Sequence, residues 1–169
     1  MGRIFLIFSF VMIVLGVAGL AHAQDAAFET KAPYAILIDA RSGNVFYEKD
    51  ADTPVPPASM SKLMTMIMVF EGIKRGELSM DQEILVTVDA WKRGGSSSGG
   101  STMYINPNTR VKLSDLIQGV IVQSANDACI AIAEAISGTE EAFAAKMTER
   151  ARELGLKNAN FKNAPGLPD

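Results

Sequence analysis

Ser59 and Lys62 stand three residues apart in "PVPPASMSKLMTMIMVFEGIKRG", where Pro56, Pro57 and small polar residues announce a helix and an apolar run confirms it. A serine at that place has an ordinary use as an N-cap. A capping box, however, would put Glu or Gln at position 62. A lysine there faces the positive end of the helix dipole, at a cost of about 0.3–1 kcal/mol. Capping explains the serine and not the lysine. A nucleophile with its base explains both. Residues i and i+3 share a helix face, so the Lys62 amine can reach the Ser59 hydroxyl. Burial beside Leu63 and Met66, together with the dipole, disfavours the charged amine and lowers its pKa. A neutral amine can then take the serine proton. The Ser59 backbone N–H, at a helix start, is free to face a developing oxyanion.

Other chemistries are excluded by composition. Arg3, the apolar run Ile4–Leu20 and Ala21-His22-Ala23 have the order of a secretory signal peptide cut after Ala23, rather than a retained membrane anchor. Its removal takes away the only histidine, so neither a Ser-His-Asp triad nor a histidine-ligated metal site can be built. Fifteen basic residues then face nineteen acidic ones over residues 24–169, with no basic stripe to bind nucleic acid. The single cysteine, Cys129, lies in "ACIAIAEAI" and is expected to be a buried core thiol.

Several elements must hold these residues. "YAILIDARSGNVFYEKD" predicts two strands joined at Arg41–Asn44. Ala58 to about Lys74 is expected to be a helix, apolar around nearly its whole circumference and therefore a core helix. "KRGGSSSGGSTMYINPNTRV" is a Gly/Ser loop with an extended stretch at Met103–Ile105, and without G-K-[ST] it is no phosphate loop. It is either a mobile rim or a plain surface loop. Ser114-Asp115 is expected to cap a helix over "LIQGVIVQ", interrupted by Ser124–Asp127 and resumed to about Ile136. Ser137 and Glu140 form a capping-box pattern opening a helix to about Leu154, with Gly155 as its C-cap and an irregular tail beyond. Ser124 and Asn126 sit at the interruption. Taken alone, Asn126 or Asp127 there is an N-cap with an incidental serine; beside Ser59-x-x-Lys62 the triplet is an S-x-N motif.

These stretches together resemble a family. "YAILIDARSGNVFYEKDAD", "PPASMSKLMT", "GSSSGGSTMYI", "QSANDAC" and "LGLKNANFKN" occur in the order found in low-molecular-weight penicillin-binding proteins. Those are serine D-alanyl-D-alanine carboxypeptidases of peptidase family S11, whose fold is shared with serine β-lactamases. The resemblance implies an α/β (α+β) transpeptidase-like fold over residues 24–169, made of the N-terminal hairpin of the sheet plus the helical region. It makes Ser59 the acylated nucleophile, Lys62 its base, Ser124 a proton relay to the leaving amine, and Asn126 a holder of the substrate amide. Peptidoglycan pentapeptides and β-lactams are the implied partners, in the periplasm or on the outer face of the cytoplasmic membrane, with no metal or organic cofactor.

One departure is large. The family's K-T-G strand follows S-x-N, whereas the only K-x-G strings here, Lys74–Gly76 and Lys92–Gly94, precede Ser124. Residues 24–169 are therefore expected to be the front of a longer protein, inactive without that strand, with any membrane association coming from a C-terminal anchor beyond them. Two alternatives share the fold. A β-lactamase would carry E-x-x-L-N after S-x-N, and the nearest string, Glu153–Lys157, ends in lysine. A β-lactam or muropeptide sensor would keep the same first two motifs.

Overall fold

The computed structural model describes residues 28–168. The expected leader, its cleavage site and His22 lie outside them. The chain divides after Thr53 into two compact units.

The first unit is a hairpin. Strands β1 (Ala35–Ile38) and β2 (Val45–Lys49) pair antiparallel, with a register irregularity between Leu37 and Ile38. The turn is built by Asp39, whose Oδ1 accepts from the Ser42 hydroxyl at 2.6 Å and from Ser42 N–H at 2.7 Å. Those hydrogen bonds to the ionised form hold the Asp39 carboxyl below its usual range.

The second unit is helical. A 3₁₀ turn, Ala58–Ser61, leads into α1 (Lys62–Lys74). Next come β3 (Glu83–Leu85), α2 (Val88–Gly94), a 3₁₀ turn at Ser96–Ser98, and β4 (Arg110–Lys112), which pairs antiparallel with β3. The chain closes with α3 (Leu113–Gln123), α4 (Asn126–Ser137), α5 (Glu140–Glu153) and an irregular tail. Helix α4 is the axis of this unit: Asn126 through Ala133 are all buried, and α1, α2, α3, α5 and β3 pack around it. Its small residues let neighbours come close. A Cβ on Gly94, the last residue of α2, would stand 2.3 Å from Asp127 N, so only glycine permits that approach to the start of α4. Cys129 is free and fully buried, and burial pushes its thiol pKa up to about 12.

Several expectations need correction. Helix α1 is not buried all round: Met64, Thr65, Met66 and Val69 face α4 and α5, but Leu63 is 68% exposed, and Ile67 and Phe70 share its side. An apolar circumference gives the surface available for burial; neighbouring elements decide which part is used. The capping box is also different. Thr139, not Ser137, caps α5 by accepting from Ala142 N–H at 3.1 Å. Ser137 ends α4, and its Oγ is buried without a partner among the described residues. Lys112 occupies the N-cap of α3 in place of the Ser114-Asp115 cap, without a side-chain capping bond; its amine meets Asp81 at 3.2 Å instead. Met103–Ile105 forms no strand, the end of α2 and the start of β4 lie in the segment expected to be a Gly/Ser loop, and β3 arises in a stretch that sequence patterning left unassigned.

Candidate active site

Ser59 lies in the 3₁₀ turn that precedes α1, one residue after Ala58, whose φ of 48° is left-handed. That conformation is uncommon for alanine and costs of order 1 kcal/mol or more. The tail packs directly against it: Gly166 (φ 79°) approaches so closely that a Cβ there would meet the Ala58 carbonyl oxygen at 1.9 Å. Ser59 is exposed, whereas its neighbour Ser61 is buried. Among the described residues the Ser59 N–H has no acceptor.

Lys62 opens α1 and is only 5% exposed. Its Nζ has three oxygen neighbours: Asn126 Oδ1 at 2.8 Å, the Pro165 carbonyl at 3.1 Å and Ser59 Oγ at 3.2 Å. Burial lowers its pKa. Three acceptors suit the three N–H donors of an ammonium, and the same set also serves the neutral amine that burial favours. Such an amine has two N–H donors and one lone pair. Two of the three neighbours, the Asn126 amide oxygen and the Pro165 carbonyl, can only accept. If the two N–H bonds go to them, the lone pair is left pointing at Ser59, whose hydroxyl can donate.

Ser124 and Asn126 belong to the link between α3 and α4. Ser124 ends α3 with a left-handed φ of 55°, its N–H satisfied by Gly119 O at the cap. That turn reverses the chain so that Asn126 starts α4 with its side chain toward Lys62. Ser124 is half-buried, and its hydroxyl makes no hydrogen bond among the described residues. The structure thus joins Ser59, Lys62 and Asn126 in one network and sets Ser124 two residues from it.

Three contributors escaped the sequence reading. Asp127, fully buried, uses both carboxylate oxygens to bind the segment after the Gly/Ser loop, accepting from Thr102 Oγ1 at 2.6 Å, Met103 N–H at 3.1 Å and Ile105 N–H at 3.2 Å. Asn126 N–H adds a bond to Ser101 O at 2.8 Å. Residues 101–105 are therefore pinned beside the site. The second contributor is Thr65, and the third is the tail: Ala164 O accepts from Thr65 Oγ1 at 2.9 Å, and the next carbonyl, Pro165 O, from Lys62. Buried polar side chains in "KLMT" and "SAND" were the available signal, but carbonyl partners more than ninety residues away carry none. Among the described residues no cluster of His, Cys, Asp or Glu is gathered that could hold a metal ion.

A family profile for D-alanyl-D-alanine carboxypeptidase, peptidase S11, matches residues 20–169. The chain belongs to this family. It is 38% identical over 148 residues to the D-alanyl-D-alanine carboxypeptidase DacF of Bacillus subtilis, covering 88% of this chain and 36% of that protein. Among solved structures it is similar to the D-alanyl-D-alanine carboxypeptidase DacD of Francisella tularensis, with 40% identity and a TM-score of 0.77 over 85% of this chain and 34% of that one. Penicillin binding protein 5 of Haemophilus influenzae gives 35% identity and a TM-score of 0.78 over 84% of this chain and 41% of that one. The transpeptidase-like fold expected from the sequence is the fold of these family members. The chain spans little more than a third of the length of the curated relative it matches.

Proposed function

We propose that this chain carries the acylating centre of a serine D-alanyl-D-alanine carboxypeptidase. The observation that supports it most is the desolvated Lys62 amine, held by two carbonyl-type acceptors and facing the hydroxyl of an exposed Ser59. In this reading Lys62 takes the Ser59 proton as Oγ attacks the carbonyl of the terminal D-Ala-D-Ala bond of a peptidoglycan pentapeptide. The Ser59 N–H faces the oxyanion. Collapse breaks the C–N bond, the proton passes through Ser124 to the leaving D-Ala amine, and water then hydrolyses the acyl-enzyme. Asn126 divides its amide between two tasks: Oδ1 anchors Lys62, leaving Nδ2 for the substrate amide. A β-lactam acylates the same serine. The reaction belongs outside the cytoplasmic membrane, in the periplasm or on its outer face; among the described residues no helix is long and apolar enough to cross a membrane.

Labelling the intact protein with penicillin and mapping the modified peptide tests this. The expected result is label on Ser59 alone, with D-Ala released from a pentapeptide. Label on Ser61 or Ser124 would overturn the assignment. Stable acylation without D-Ala release would instead make the protein a β-lactam sensor.

A further inference from the structure

Glu140 is the first residue of α5, and Thr139 caps that helix without its help. A glutamate in an exposed first turn normally stays in water, where it complements the helix dipole. Glu140 instead is 4% exposed. Its Oε2 pairs with the Arg93 guanidinium of α2, which also meets Asp89 at 3.0 Å. Its Oε1 accepts from the Ala164 N–H at 2.9 Å. This last bond is the unusual one, because it ties a buried carboxylate to the backbone of the tail.

The tail has few other donors at that point. Pro165 has no N–H and the Gly166 N–H is taken by Asn163 within the turn, so Ala164 supplies the N–H that ties the two carbonyls meeting α1 to α5. Ala164 O takes Thr65 and Pro165 O takes Lys62, residues three apart on one face of α1. Asn163 closes the turn from inside, its Oδ1 accepting from Gly166 N–H at 2.7 Å and Leu167 N–H at 2.9 Å. Asn163 shapes the turn; Glu140 anchors it to α5 and α2.

We propose that Glu140 is a positioning residue for Lys62, acting through the Ala164–Pro165 backbone. It rests on Lys62 being the base of the function proposed above. With Glu140 in place, Pro165 O stays on one N–H of the amine, and the lone pair keeps its aim at Ser59. Without it the tail loosens, water reaches the amine, and the desolvation that depresses its pKa is relieved. Among the described residues the titratable group near the Lys62 amine is Cys129 on α4, kept neutral by burial; Asn126 and Pro165 are neutral too. The Glu140–Arg93 pair stands behind Ala164.

The test follows Lys62 in the intact protein by NMR of isotope-labelled lysine across pH, alongside penicillin acylation rates. Glu140→Ala should raise the Lys62 midpoint toward the ordinary lysine range and slow acylation by about 10-fold or more, since small displacements of reacting groups cost up to about 100-fold. Glu140→Gln, which still offers Ala164 N–H a carbonyl, should restore both. Thr65→Val loosens the tail from the α1 side and should move the midpoint in the same direction. A folded Glu140→Ala variant with a wild-type midpoint overturns the proposal, as does a Glu140→Gln variant equally impaired, which would assign the effect to the Arg93 pair. If Glu140→Ala does not fold, an unmoved midpoint in Thr65→Val overturns it. Failure of penicillin to label Ser59 while the midpoints shift would refute the proposed function, and with it the base role of Lys62, while leaving the effect of Glu140 on the burial of that amine.

Discussion

At the scale of the residue, the proposed acylation depends on Lys62 losing a proton while it stays surrounded by acceptors. Arginine keeps the charge and reach but cannot deprotonate in a protein. Lys62→Arg should therefore lower penicillin acylation by at least ~100-fold, the usual size of a general-base contribution. A near-wild-type rate, measured by stopped-flow or gel labelling, would remove the base role. The pH dependence follows from the same burial. Only the neutral amine accepts, so acylation should rise with pH through the depressed Lys62 pKa, with a midpoint below the ordinary value of ~10.4. The linkage has the same sign. The folded pKa lies below the unfolded one, so the contribution to stability is complete above the unfolded lysine pKa and is lost as pH falls through the folded value. A midpoint at or above the ordinary lysine value in the pH–rate profile would mean that Lys62 is solvated in the working protein.

At the scale of the element, the junction between α4 and α5 separates two readings of one sequence. "SGTE" fits a capping box led by Ser137, yet Thr139 does the capping and Glu140 turns inward. Thr139→Ala should cost about 1 kcal/mol of unfolding free energy, as lost N-caps do. Ser137→Ala removes a buried hydroxyl without a partner and adds the best helix former at the end of α4, so stability should hold or rise. Urea melts of both variants decide the matter. A loss at Ser137 equal to that at Thr139 would restore the capping box. The junction was legible as a break between helices. Which polar residue caps was not, because Ser, Thr and Glu all suit such a site, and the choice is made by whether Glu140 finds Arg93 and Ala164 N–H inside.

At the scale of the whole molecule, exposed apolar surface dominates the expectation. The hairpin leaves Ile36, Leu37, Ile38, Val45 and Phe46 exposed, and a two-stranded sheet is marginal by itself. Leu63, Ile67 and Phe70 form a second apolar stripe along α1. Residues 24–169 alone should therefore self-associate in size-exclusion chromatography, through open strand edges and these stripes. They should also release no D-Ala, since no K-T-G follows Ser124 in them. A monodisperse monomer that releases D-Ala as fast as the intact protein would refute both statements.

What the sequence by itself determined was local or chemical. The hairpin turn at Arg41–Asn44, the helix that follows Ser59, the break at Ser124–Asn126 and the buried thiol of Cys129 could be seen from periodicity and from residue types that suit few other places. The pairing of Ser59 with Lys62 was visible too, because a spacing of three residues brings two side chains together whether the turn is 3₁₀ or α. Only tertiary structure decided the surroundings of that lysine. Its depressed pKa comes from burial under α4 and the tail, and its orientation comes from Asn126 Oδ1 and the Pro165 carbonyl, 64 and 103 residues away in the chain. A backbone carbonyl is the same at every position and leaves no trace in residue identity. Only the path of the folded chain sets which carbonyl meets which amine.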